Sequence, residues 1–396
     1  MRIDLAKREQ LIDLGAYLVG LVFGLGILVA SGYADWPGDA LGRSDFAKFW
    51  AGPRALLLGR DPYDARTWID PTLQLGATLI NWPDHGSTPR YFGWAVLLMF
   101  PFALLPLATA FALWTVGGIA AAAAAIYALL RRALPGHPIA HTLIAMTLLA
   151  SQPARLTVLL GQWGFMLTAA LVATVMWTRE GRSTRGGLSS IAFLAKPQLF
   201  VLTAPALAMW AWRRGQLRAI AVATAAGAAI VGLSLVVLPG WPAAWIRDIA
   251  SPGVTTDPQT TTLASVLYGF FGQPGPWIAF AIIVGCAAVC FAFDPRGNAW
   301  LAAWLSLSLV AAPYVWSYDQ TLLVVPLVLG GGVVARRSRR FATGVIITGT
   351  FILVVLTTVL AVVAARRNLE SYSAVIPLLV FALIVAAMWP SRRSAE

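Results

Sequence analysis

The sequence predicts an all-α polytopic membrane protein, and three observations carry that reading. Hydrophobic residues make up 59% of the chain and charged residues only 12%, with a mean hydropathy of +0.74, whereas soluble domains carry roughly 25% charged residues. Apolar runs of about 18 to 25 residues recur from end to end, the length that crosses a hydrocarbon core of roughly 30 Å. The basic residues behind the net charge of +12 gather in short clusters between those runs. They form no basic helical face and no aromatic-interleaved stripe, so the charge reads as a topology signal and nucleic acid is not an expected partner.

Taken in order, the first run (about Leu11 to Ser31) is long enough to span, lacks a small-residue cleavage site and reads as a retained anchor. Basic clusters at Arg2/Lys7/Arg8, Arg131/Arg132, Arg179/Arg182/Arg185, Arg213/Arg214/Arg218, Arg336/Arg337/Arg339/Arg340 and Arg392/Arg393 mark the cytoplasmic side. Both termini are then cytoplasmic, and residues 32–90 form a large outer loop. The apolar stretch from Tyr91 to Leu130 is too long for one span. Two spans would put Arg131 outside, so residues 91–106, with Pro101 and Pro106, are expected as an interfacial or re-entrant helix before one true span. Further spans fall near Ile139–Ala150 and Gln162–Thr178, flanking an outer turn that holds Arg155. Two short segments lie either side of Lys196-Pro197, and later spans near Ala219–Leu238, Pro276–Phe293, Trp300–Ala312, Thr321–Val334, Phe341–Ala364 and Ser373–Met388 bring the total to about twelve. Trp163, Trp177, Trp210, Trp241, Trp277 and Trp389 fall near span ends, as an interfacial belt would. The whole chain, 1–396, is one transmembrane domain, and the Gly20-x-x-x-Gly24 spacing in its first span permits close helix packing.

Polar chemistry concentrates in the first outer loop. Seven of the seventeen acidic residues are there (Asp35, Asp39, Asp45, Asp61, Asp64, Asp70, Asp84), with six basic residues and Trp36, Trp50, Trp68, Trp82 and Tyr63. So many aromatics point to a folded cap with short helices rather than a structureless loop. Ser44 to Leu58 reads as a helix whose apolar face (Phe46, Phe49, Trp50, Leu56, Leu57) is suited to lying on the bilayer, and Gly59 to Tyr63 reads as its stop and turn. Asp45, at the start of that helix, is either a cap or a general base. Lys196 stands beside a proline in an apolar stretch, where an ionisable group is costly without a purpose; snorkelling to the headgroups is the alternative. Gln162 suits hydrogen bonding to a sugar or phosphate as well as a structural role. Tyr314, Trp316, Tyr318 and Asp319 make a polar aromatic cluster at an outer span end, able to stack on sugar and to orient a lysine or hydroxyl. His137 and His141 lie on the cytoplasmic side, His85 has no evident ligand partners, and Cys286 and Cys290 share a helical face as small apolar side chains. No metal site is expected from these residues, and no glycine-rich phosphate loop follows a strand.

An ordered set of short motifs resembles glycosyltransferase family 87, membrane enzymes of the GT-C class. The set is Ser44-Asp45-Phe46, Trp50-Ala51-Gly52, Arg54-Ala55-Leu56-Leu57 and Gly59-Arg60-Asp61-Pro62-Tyr63-Asp64, then Tyr91, Pro101 and Pro106. It continues with Gly161-Gln162, Arg179-Glu180-Gly181-Arg182, Ala195-Lys196-Pro197 and Pro313-Tyr314 through Tyr318-Asp319. The resemblance implies a GT-C-like helix bundle with a helical periplasmic first loop in the inner (plasma) membrane. It implies an inverting transfer of a monosaccharide from a polyprenyl-phosphate donor to a glycolipid or surface-glycan acceptor on the periplasmic face. Asp45 takes the place of the catalytic base. Lys196, with Arg54 and Arg155 as weaker candidates, would meet the departing phosphate, and Gln162, Tyr63, Tyr314, Tyr318 and Asp319 complete the candidate binding set. No cofactor is implied beyond the lipid-linked donor itself, and metal dependence is left open. Relatives often carry a histidine near the position of Tyr318, so the role of that position stays open. The competing class is a transporter or flippase of a polar or lipid-linked solute, which would call for paired ionisable groups at mid-membrane and repeated halves.

Overall fold

The computed structural model describes residues 5–32, 41, 44–64, 66–67, 91–250, 260–367 and 370–389, all helix, turn or irregular chain with no strand among them. Much of the expected cap, including Asp35, Asp39, Asp70, Asp84, Trp36, Trp68, Trp82 and His85, lies outside the described residues, as do Arg2, Arg392 and Arg393.

Among the described residues, six helices are long and apolar enough to cross a membrane: Lys7–Ser31, Leu107–Ala133, Leu217–Val237, Ser317–Ala335, Arg339–Arg366 and Glu370–Met388. Pro138–Ala150 and Gln152–Leu160 together make a seventh candidate, bent by 43° at Ser151. Three shorter apolar helices, Gly164–Arg179, Pro274–Cys290 and Asn298–Ala311, complete the set. Burial differs sharply along the bundle. Ser317–Ala335 is 89% buried and forms its centre, whereas Leu217–Val237 is 6% buried and lies at the edge, packed on Ser183–Ser189 and Gly93–Leu98.

Local chemistry explains the joints. Gly20 and Gly24 let the first helix lie directly against Pro138–Ala150: a Cβ on Gly20 would overlap the Thr142 carbonyl, and one on Gly24 would come within 3.0 Å of Leu149. Between residues 91 and 106 the chain makes two short helices, Gly93–Leu98 and Phe100–Ala103, and Leu107–Ala133 starts only after Pro106. Lys196 separates two 3₁₀ segments, Ser190–Ala195 and Pro197–Phe200, because Pro197 lacks an N–H and forces its predecessor out of the helical region (φ −141°, ψ 69°).

Three expectations change. The helix Asp45–Leu57 does not lay its apolar face on lipid: Phe46, Phe49 and Trp50 are buried in the protein core with Met99, Trp114 and Trp163. Arg155 is not in a turn but on the helix Gln152–Leu160, capped by Ser151 and started by Pro153 in its first turn. The proposed tryptophan belt is only partial, since Trp163, Trp210 and Trp241 are buried inside the protein while Trp277 and Trp389 are exposed.

The basic clusters meet at one end of the bundle. Arg132 and Arg182 both pair with Glu180, the latter at 3.4 Å. Arg214 donates to the Arg296 carbonyl at 3.0 Å and Arg337 to that of Met388 at 3.3 Å. The Gly136 amide donates to Asp13 Oδ2 at 2.8 Å, beside Arg339. His141 is here too, its Nε2 3.1 Å from the Leu134 carbonyl.

Candidate functional site

The other end gathers chain from four distant stretches. Helix 45–57 supplies the first. Its N-cap is Ser44, whose hydroxyl accepts the Ala47 amide at 3.2 Å, so the capping duty falls to Ser44 and leaves the Asp45 carboxylate to other partners. Asp45 Oδ2 accepts Gln162 Nε2 at 2.6 Å, and Oδ1 lies 3.2 Å from Lys48 Nζ one turn along. The amide orientation of Gln162 follows from its partner, since only the NH₂ can donate to a carboxylate.

Gly161 brings Gln162 there. It ends helix 152–160 in the left-handed conformation (φ 63°), and a Cβ on it would overlap Phe46 of helix 45–57. Its carbonyl accepts Trp114 Nε1 at 3.0 Å. Three residues on, a Cβ at Gly164 would lie 2.5 Å from Thr321 Oγ1 and 2.8 Å from Thr157 Oγ1. Those two hydroxyls sit 3.2 and 3.3 Å from the Tyr318 carbonyl. The Gly161–Gly164 turn is thereby wedged between the Asp45 helix and the 3₁₀ turn Ser317–Leu323.

That turn holds the second half of the site. Asp319 Oδ1 accepts Lys196 Nζ at 2.7 Å, and its Oδ2 accepts the Trp316 amide at 3.0 Å. Lys196 also stands 4.3 Å from the centre of the Tyr318 ring, a cation–π contact. Both partners are buried, so Lys196 is held by an ion pair inside the protein rather than extended to the surface by snorkelling. Trp316 stacks on Tyr318 with ring centres 6.4 Å apart, and Tyr314 meets Trp316 edge-on at 6.1 Å.

The two halves feel each other: the charge of Asp45 acts on Asp319 and on Tyr91. Burial holds the Tyr91 hydroxyl well above its ordinary pKa, with the charges of Asp45 and Tyr314 adding to the effect, so it stays a proton donor. Asp45, Gln162, Lys196, Tyr318 and Asp319 are thus brought together, with Tyr314 at the rim. Two expected members stand apart. Arg54 Nη1 donates to the Ala103 carbonyl at 3.3 Å and lies over Trp50. Tyr63 donates to the Tyr91 carbonyl at 2.6 Å from a separate apolar cluster with Val96, Leu238 and Trp241. Arg155 belongs to helix 152–160, which packs on the Ser317–Leu323 turn. Sequence reasoning passed over Lys48 and had Tyr91 only as a motif residue, outside the candidate binding set. The i, i+3 spacing of Asp45 and Lys48 on one helix was the available signal for the first.

Among the described residues, no three His, Cys, Asp or Glu side chains come together as a metal site. Both thiols are free on Pro274–Cys290.

A helical membrane bundle with a polar site of this make-up fits the class of integral membrane glycosyltransferases. The family model of glycosyltransferase family 87 matches residues 94–326, more than half of the chain, and the protein belongs to that family. The match contains Gln162, Lys196, Tyr318 and Asp319, while Asp45 precedes it. Comparison with curated proteins and with solved structures gave no match.

Proposed function

We propose that this protein moves a monosaccharide from a polyprenyl-phosphate donor to a glycolipid or surface-glycan acceptor, with inversion, at the periplasmic face of the inner membrane. The observation that carries the reading is the pairing of a held but reachable carboxylate, Asp45, with a buried cation, Lys196, at one end of the bundle. Asp45 takes the proton of an acceptor hydroxyl as that oxygen attacks the anomeric carbon. The bond from that carbon to the phosphate oxygen breaks on the opposite face, and the lipid phosphate leaves as an anion. One carboxylate suffices, because the leaving group needs no proton; typical glycosidases use two. Gln162 and Lys48 fix the Asp45 carboxylate in direction. The Lys196 ammonium has three donors, of which Asp319 takes one, and the others are offered to the departing phosphate. Arg155 adds positive charge from the neighbouring helix, and Tyr314, Trp316 and Tyr318 offer ring faces to the sugar.

The scheme places both termini in the cytoplasm, the basic end inside, about twelve crossings in the chain and the folded first loop over the site. The test is purified wild type against Asp45→Asn, assayed with a panel of polyprenyl-phosphate monosaccharides and membrane glycolipid acceptors, with and without a chelator. Transfer by the wild type, lowered by at least about a hundredfold in the folded variant, supports the assignment. Transfer that survives the substitution moves the base elsewhere, and no transfer with any donor overturns the donor class.

A further inference from the structure

At the basic end, away from the chemistry above, a pocket of about 440 Å³ is lined by Gly181, Arg182, Ser183, Thr184, Arg185 and Arg218. Its two walls are tied together by Ser183, whose hydroxyl donates to Gln216 Oε1 at 2.5 Å. The neighbouring acid, Glu180, is already engaged by Arg132 and Arg182. Arg185 and Arg218 are exposed, and neither makes an ion pair among the described residues. The pocket therefore presents guanidinium groups to a space with no carboxylate of its own to answer them, a setting that favours a bound anion.

The surroundings say what kind of anion. Arg218 belongs to the first turn of Leu217–Val237, the least buried of the six long apolar helices, which packs on Ser183–Ser189 along one side and leaves the rest of its apolar surface open. Leu188, on the helix that carries Arg185, and Leu217, next to Arg218, are both exposed, so the two helices that line the pocket carry arginine and open apolar side chains together. A soluble anion would use only the first part of that surface; a lipid uses both.

We propose that this pocket binds the phosphate headgroup of an anionic phospholipid, with the acyl chains lying along Leu217–Val237. Arg185 and Arg218 grip the phosphate through paired N–H donors, a geometry that lysine does not reproduce. Basic pockets between membrane helices are suited to such headgroups by the same electrostatics that make the flanking surface positive. This site lies at the opposite end of the bundle from Asp45 and does not depend on the reading of the transfer reaction.

The test uses full-length protein in detergent, titrated with phosphatidylglycerol, phosphatidylcholine or inorganic phosphate and followed by native mass spectrometry. Wild type is compared with Arg185→Gln/Arg218→Gln and with Arg339→Gln/Arg340→Gln, a charge-matched control at the same end. Wild type is expected to retain one phosphatidylglycerol at least about tenfold more tightly than phosphatidylcholine. The pocket variant is expected to lose roughly 25-fold, about fivefold per arginine, and the control to keep its affinity. Equal loss in the control would show a diffuse field rather than a site. Equal retention of the two lipids, or displacement by millimolar phosphate, would equally overturn the proposal. Should the glutamine variant fail to fold, Arg185→Lys/Arg218→Lys keeps the charge and removes the fork. A roughly fivefold loss is expected there, and unchanged affinity overturns the assignment.

Discussion

The charge of Asp45 reaches Asp319, yet the two occupy opposite surroundings. The Asp319 side chain is 2% exposed, gripped by the Lys196 ammonium through one oxygen and by the Trp316 amide through the other. The Asp45 side chain is 23% exposed, steadied by one buried amide and by a lysine that is itself 28% exposed. A carboxylate sealed against a cation cannot receive a substrate proton without first losing its partner. One held on two sides but open on a third can. The difference separates a residue that builds the site from one suited to react in it, although both are aspartates at the same end of the bundle.

The sharpest way to break the contrast is Lys196→Ala. Leaving Asp319 buried without its cation is expected to cost about 3 to 5 kcal/mol of stability, read as a lower thermal unfolding midpoint in detergent. An unchanged midpoint would mean that the pair is not sealed from solvent. Next in size is Asp45→Asn. It is expected to lower transfer by at least about a hundredfold while leaving the unfolding midpoint in place, whereas Asp319→Asn lowers both. A third substitution, Gly161→Ala, puts a Cβ against Phe46 at a positive φ. A stability loss of about 1 to 3 kcal/mol is expected, with a fall in transfer as Gln162 is displaced from Asp45. The smallest effect belongs to Lys48→Ala, which removes a partly exposed ion pair worth about 0.2 to 1 kcal/mol. Transfer should then fall by less than about fivefold, and a loss as large as that of Asp45→Asn would place Lys48 among the groups touching substrate.

Much of the architecture was readable in the sequence because hydropathy and charge act locally. A run of apolar residues announces a span wherever its neighbours end up, and Pro101, Pro106 and Pro197 break the helices where a missing N–H must. Arg155 was misread because it lies between two expected spans, where a turn was assumed; Ser151 followed by a first-turn Pro153 is a helix start, and that is its use here. Asp45 stood out by its motif. Its partners did not, since Gln162 lies 117 residues away and no pattern in the chain joins the two. The burial of helix 45–57 was likewise hidden, because an amphipathic face reads the same whether protein or lipid covers it.

The Lys196–Asp319 pair also has a consequence in time. The two residues are 123 positions apart, so a ribosome adding roughly 5 to 20 residues per second needs on the order of 6 to 25 s to follow the lysine with its aspartate. Throughout that interval the carboxylate that grips the ammonium in the folded protein has not yet been made. Until the later segment arrives, the ammonium has to stay hydrated, reach toward the membrane surface or give up its proton. A chain cut short before Asp319 would carry most of the bundle and an unanswered charge inside it, a form that membrane quality control is equipped to notice.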